Sequence, residues 1–262
     1  MAHQLPAFQP FVDSVISALQ TDPNALGLAV GGSWISGDMD AYSDLDLVLV
    51  TAVPVAPDLG QMRAYAARFG TMLASFRGDH VGEPRLLIAL FTDPLLHVDV
   101  KFVLPAELHE RVEDPVILWE RDGILTSAFK ESVAQYPPFD FQATDDRFWI
   151  WMHYAALKIG RGEFFEAMDF LSFVRNMVLG PMLHLKQGGL PRGVRRVETS
   201  LPAEQLAALR QTVAIPERTS LLTSTQAVID LYETLRDTLA PTGLVRSPAA
   251  ERAVKNYIAA LC

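Results

Sequence analysis

From Ser43 to Thr51 the chain reads Ser-Asp-Leu-Asp-Leu-Val-Leu-Val-Thr, an apolar run headed by two carboxylates at alternate positions. This pattern specifies a strand, and alternate side chains of a strand face the same way, so Asp44 and Asp46 project together. Leu45, Leu47 and Leu49 project to the opposite face. Adjacent carboxylates repel and raise each other's pKa unless a cation sits between them, and Mg²⁺ is the plainest cation for hard oxygen ligands. A short loop upstream, the apolar stretch Leu26–Val30 runs into Gly31-Gly32-Ser33. A turn of this kind brings backbone N–H groups close to an anion. A cation site beside an anion site suits a nucleoside triphosphate.

The elements around this stretch follow from periodicity. Phe8, Phe11, Val12, Val15, Ile16 and Leu19 recur at helical spacing, and Asp22-Pro23-Asn24 ends that helix. Pro54 and Pro57 mark a linker. The spacing of Met62, Tyr65, Ala66 and Phe69 predicts a helix over Asp58–Phe76, followed by a loop through Arg77-Gly78-Asp79 and Gly82-Glu83-Pro84. Arg85–Phe91 and Leu95–Val103 read as a hairpin around Thr92-Asp93-Pro94. In its second arm His97, Asp99 and Lys101 share one face and Val98, Val100 and Phe102 the other. Val116–Glu120 is a further strand.

Beyond Tyr136-Pro137-Pro138 helical patterns take over. Thr144 is the expected N-cap of a helix to Ile159, with Asp145 and Asp146 favouring its positive end. Glu163–Leu179 reads as a helix ended by Gly180-Pro181, then a loop carries Arg192, Arg195 and Arg196. Leu201–Val213, Thr219–Leu239 and Ser247–Leu261 complete the helical set. The expected organisation is α+β: a mixed sheet with helices over residues 1–136, and an all-α bundle over 139–262.

Charge and composition exclude several classes. With 31 acidic against 22 basic side chains the 262-residue chain carries a formal net charge of −9, which disfavours a polynucleotide partner. No helix-hairpin-helix or long basic face suggests a polymerase. Cys262 is the one cysteine, so no intrachain disulfide or cysteine-built zinc site is available, which fits a cytoplasmic setting. The first twenty residues lack the basic segment of a secretory leader, and the apolar region Leu86–Leu104 is broken by Asp93-Pro94, His97, Asp99 and Lys101, so no membrane span is expected.

Asp99 is a carboxylate in an otherwise apolar strand, where a lone charge is costly. If its strand lies beside that of Asp46, three carboxylates converge. Gly32-Ser33, then Asp44-Leu45-Asp46-Leu47, then Asp99 on a later strand resembles the signature of the polymerase-beta-type nucleotidyltransferase superfamily. The length and helical second half are similar to its small-molecule members, which adenylylate aminoglycosides or lincosamides. The resemblance implies a nucleotidyltransferase fold and transfer of a nucleoside monophosphate, AMP from ATP or another NTP, to a small-molecule hydroxyl with release of pyrophosphate. It implies two Mg²⁺ ions on Asp44, Asp46 and Asp99, with Asp99 a metal ligand or the base. Gly32 and Ser33 would hold the triphosphate, and Lys158 would reach it from the helical domain. A protein hydroxyl as acceptor, or a nucleotide sensor without turnover, keeps the same fold.

Other residues carry two readings. Lys158, four residues after Tyr154, also suits a lysine snorkelling from a packed face. Glu163 and Glu166 could bind a cationic acceptor or deprotonate its hydroxyl, and equally serve the positive end of their helix. Trp151 and Tyr154 suit core packing better than base stacking. His97 and Lys101 are expected to line the site or tune Asp99. Asp38 and Asp40 alternate like a calcium loop without its later ligands. Trp34 departs from the small or basic residues that often follow the glycine-serine turn in that superfamily.

Overall fold

A six-stranded mixed sheet organises the first half of the chain, in the spatial order Met72–Gly78, Glu83–Phe91, Leu96–Val103, Leu45–Thr51, Ala25–Val30, Val116–Glu120. This computed structural model describes residues 8–261, so Cys262 lies outside the described residues. The chain divides into two units between Pro137 and Pro138. The first holds α1 (Gln9–Gln20), β1 (Ala25–Val30), α2 (Ser33–Ser36), β2 (Leu45–Thr51), α3 (Leu59–Ala66), β3 (Met72–Gly78), β4 (Glu83–Phe91), β5 (Leu96–Val103), β6 (Val116–Glu120) and α4 (Ile124–Glu131).

β2 and β5 pair in parallel at the centre, and the other neighbouring strands are antiparallel. Leu45, Leu47 and Leu49 of β2 and Val98, Val100 and Phe102 of β5 are buried on one face, with Val12, Val15 and Leu19 of α1 and Met62 and Ala66 of α3. The other face alternates in function along its length. Val50 and Val103, late in the two central strands, are buried with Ala29, Leu125 and Ala128, whereas Asp46 and Asp99 take the earlier positions on that face. Gly27 lets α4 lie close, because a Cβ there would fall 2.1 Å from Leu125 Cδ1.

Three expectations change in this unit. The helix over Asp58–Phe76 ends at Ala66, and Met72–Gly78 is the edge strand β3. Phe69, Met72 and Phe76 fit a helical period, yet the ladder to β4 decides the conformation. Residues 79–81 form one 3₁₀ turn, so the expected loop is a tight β3–β4 connection and β4 begins at Glu83. Ile124–Glu131 is a helix that periodicity had left unassigned.

The second unit contains α5 (Phe141–Arg161), α6 (Phe164–Val174), α7 (Gly180–Lys186), α8 (Val197–Ser200), α9 (Ala203–Gln211), α10 (Arg218–Leu239) and α11 (Pro248–Ala259). Its core joins Phe148, Trp149, Met152 and Ile159 of α5 to Leu171, Val174, Leu183, Leu221, Tyr232 and Ile258. Asp140 rather than Thr144 caps α5, its carboxylate accepting from the Ala143 N–H at 2.9 Å. Asp145 is a buried second-turn residue, and the Tyr232 hydroxyl donates to its Oδ1 at 2.7 Å. Gly180-Pro181 does not stop the helix: a π turn over Arg175–Leu179 precedes it, and Pro181 lies in the first turn of α7. Among the described residues no helix is long and apolar enough to cross a membrane.

One ion-pair network ties β4 to β5. Glu83 contacts Arg85 at 2.8 Å and Lys101 at 2.7 Å, and Arg85 also reaches Glu107 at 2.8 Å. The Arg85 guanidinium, with the Lys101 ammonium behind it, holds the Glu83 carboxyl down at about 2. A depressed folded pKa contributes stability above the ordinary glutamate value, and that stability is lost as pH falls through 4.5 toward about 2. Glu83→Gln is therefore expected to lower unfolding free energy by on the order of 2–3 kcal/mol at pH 7. Urea titrations across pH should show the gap to wild type closing below pH 4.

Candidate functional site

The register of the central strands creates the site. Asp46 of β2 lies directly opposite Asp99 of β5 in the parallel ladder. Side chains at registered positions of neighbouring strands share a face, so these two carboxylates stand side by side. Asp44 falls one residue before β2, and its charge acts on Asp99. Asp99 is half-buried, and burial, with Asp44 adding to it, raises its carboxyl above the ordinary aspartate value. His97 opposes that rise through a 3.1 Å contact from Nε2 to Asp99 Oδ1. His80, in the β3–β4 turn, also acts to lower it.

Lys101 takes another part. Its ammonium shares the Asp99 face and pairs with Glu83 Oε2 at 2.7 Å.

The glycine turn abuts the same carboxylates. Gly31 donates its N–H to the Asp46 carbonyl at 2.8 Å. Gly32 has φ +60°, and a Cβ built there would lie 2.0 Å from Asp46 Oδ2. Glycine is needed at 32 on both counts: the backbone is in a region other residues rarely adopt, and the carboxylate fills the side-chain space. The Gly32 N–H donates to Glu113 Oε1 at 2.7 Å, a residue the sequence had not singled out. Ser33 opens α2 and is largely buried. Trp34 points its bulk into the apolar core beneath the sheet, so its size does not intrude on the turn. Asp40 accepts from the Tyr42 N–H at 2.9 Å and from the Ser43 hydroxyl, which makes it a turn former.

In the helical unit three expected residues come together. Lys158 Nζ lies 2.8 Å from Glu163 Oε2 and 2.8 Å from Glu166 Oε1. The Tyr154 hydroxyl donates to Glu166, and the Lys158 ammonium sits 5.0 Å from the Tyr154 ring centre. Glu163, then Glu166, raise the Lys158 pKa and keep it charged, while Lys158 and Tyr154 lower that of Glu166. Glu163 precedes α6 and Glu166 lies in its first turn, but both carboxylates turn back to the end of α5. Trp151 packs edge-on against Phe173, and Tyr154 lies tilted against Phe170.

The donor set fits Mg²⁺. Among the described residues no three acidic, histidine or cysteine side chains form a ready-made cage. Mg²⁺ does not need one, since it is commonly held by one or two carboxylates together with substrate phosphates and water. The Asp46–Asp99 pair, with Asp44 beside it, offers that number of hard oxygens.

No family model and no curated protein matches the chain. Two solved structures are similar along most of their length. An aminoglycoside 6-adenyltransferase from Bacillus subtilis is 13% identical, with 95% of this chain and 97% of that one covered and a TM-score of 0.44. A nucleotidyltransferase-like protein from Exiguobacterium sibiricum is 12% identical, with 97% and 88% covered and a TM-score of 0.39. At such identities and scores, the functional reading rests on the residues of the chain itself.

Gly32→Ala tests the turn. The substitution should cost about 1–3 kcal/mol in chemical denaturation, from backbone strain and displacement of the Asp46 carboxylate. Gly82→Ala provides the comparison, because that glycine also has positive φ but meets nothing within 4 Å. Its smaller loss isolates the backbone share.

Proposed function

We propose that the chain transfers a nucleoside monophosphate, AMP from ATP, to the hydroxyl of a small molecule and releases pyrophosphate. The observation that carries this reading is the pairing of Asp46 with Asp99 across parallel strands, with Asp46 packed against Gly32. Carboxylates for a cation and a glycine turn for an anion thereby meet at one place. Asp44, Asp46 and Asp99 are the residues that would hold Mg²⁺, and the bound ions would neutralise the triphosphate and polarise its α-phosphorus.

The remaining chemistry belongs to the chain's own groups. Gly32 and Ser33 orient the triphosphate from the turn. The acceptor oxygen forms a bond to the α-phosphorus as the bond to the β-phosphate oxygen breaks, so pyrophosphate carries away the electron pair. The proton of the acceptor hydroxyl passes to Asp99, the carboxylate on the strand beside Asp46. Phosphoryl chemistry of this kind depends mainly on positioning and charge neutralisation.

For the helical unit we propose that Lys158 contacts phosphate and that Glu163 and Glu166 meet a cationic group of the acceptor. The present ion pairs support a coupled role: a phosphate on Lys158 frees the two carboxylates for a cation. An aminoglycoside-like polyamine is the acceptor class that suits this exchange and the acidic balance of the chain.

Pyrophosphate release from ATP and Mg²⁺ with a panel of polyhydroxylated amines tests the reading. Asp46→Asn should lose at least ~100-fold in rate, as expected for removal of a charge-stabilising group at a reacting centre. Equal release by wild type and Asp46→Asn would remove the mechanism. Label from ATP appearing on protein bands of a lysate, and on no small molecule, would move the acceptor to a protein hydroxyl.

A further inference from the structure

The Gly32 N–H is already engaged by an anion from the chain itself. Val30, the last residue of β1, is in register with Val116, the first residue of β6. Because these strands are antiparallel, the residues preceding Val116 run past the end of β1 and alongside the glycine turn. Glu113 is thereby delivered to Gly32, where Oε1 accepts the N–H at 2.7 Å and would lie 2.8 Å from a Cβ at Gly31. The backbone around Glu113 is firmly held. Arg111 pairs with Asp114 at 2.6 Å, donates to the Ser132 carbonyl at 2.7 Å and stacks on the Phe129 ring at 4.7 Å. The Gln135 N–H donates to the Arg111 carbonyl at 2.8 Å. Arg111 before it and β6 after it anchor the backbone from which the Glu113 side chain reaches the turn.

We propose that Glu113 is an internal competitor for the triphosphate, a carboxylate that occupies the Gly32 N–H until a phosphate oxygen replaces it. This rests on the assignment of the glycine turn to the triphosphate. The chemistry is that of like for like, since a carboxylate oxygen and a phosphate oxygen accept the same backbone N–H. Asp46 Oδ2 abuts the same glycine, so two carboxylates border one turn. Their repulsion favours release of Glu113 when the anion that arrives brings its own cation. Glu113 would thus set the threshold concentration of Mg²⁺-triphosphate at which the turn is filled.

The test is calorimetric titration of inorganic triphosphate in Mg²⁺ into wild type, Glu113→Gln and Glu113→Ala. Removing the competitor should tighten binding about fivefold in Glu113→Ala, the size of one net hydrogen bond. Glu113→Gln, which keeps an accepting oxygen but loses the charge, should fall between it and wild type and serves as the variant least disturbing to the fold. Unchanged or weaker binding in both variants overturns the proposal and leaves the triphosphate assignment standing, with Glu113 then a support for the turn. Absence of triphosphate binding in all three proteins overturns both.

Discussion

The parallel pairing of β2 with β5 is the constraint on which the candidate site depends. Both strands are central, and Leu45, Leu47, Leu49, Val98, Val100 and Phe102 are buried along one face. A slip of one residue in either strand would exchange its buried and site-facing sets, placing Asp46 or Asp99 in the apolar core. The cost of burying a lone carboxylate therefore protects the register. The apolar packing that holds the fold is also what holds two charges next to each other. Burial of Asp99 is a standing cost of that arrangement, and it raises the Asp99 carboxyl above the ordinary aspartate value, with Asp44 adding to the rise.

The helical unit handles charge differently. Arg236 is almost fully buried and is surrounded by Asp145 at 3.4 Å, Asp237 at 3.1 Å and Glu251 at 3.6 Å, while Tyr232 stacks on Phe148. A guanidinium can satisfy several acceptors at once, so burying it among carboxylates is tolerable where burying it alone would not be. This network links α5, α10 and α11 and belongs to the architecture. The Lys158–Glu163–Glu166 cluster lies nearer the surface at the α5–α6 connection, where exchange of partners is cheaper because water can solvate a released group.

Legibility in the sequence followed the physics of each element. β2 and β5 stood out because their apolar residues alternate or run unbroken, the mark of strands with a buried face, and β6 because Val-Ile-Leu-Trp runs unbroken although the strand is only half-buried. β3 was hidden because it is an edge strand with Leu73 and Phe76 exposed, which leaves no clean alternation to read. The α5 cap was misplaced by four residues because Asp140 and Thr144 are both good caps, and their local chemistry does not rank them. Asp99 was legible as an anomaly, a charge in an apolar strand. Glu113 and His80 were not, because acidic and histidine residues in loops are ordinary and only strand pairing brings them to the site.

The sequence by itself determined local faces: Asp46 on one side of its strand, Leu45 and Leu47 on the other, and a glycine turn just upstream. These are local facts, set by the two-residue period of a strand and by the conformational freedom of glycine. Only the tertiary structure decided that Asp46 faces Asp99, that its carboxylate fills the space at Gly32, and that Glu113 takes the Gly32 N–H. Each of those contacts joins residues from separate strands or loops. Their register is set by packing along the whole strands rather than by the side chains at the site.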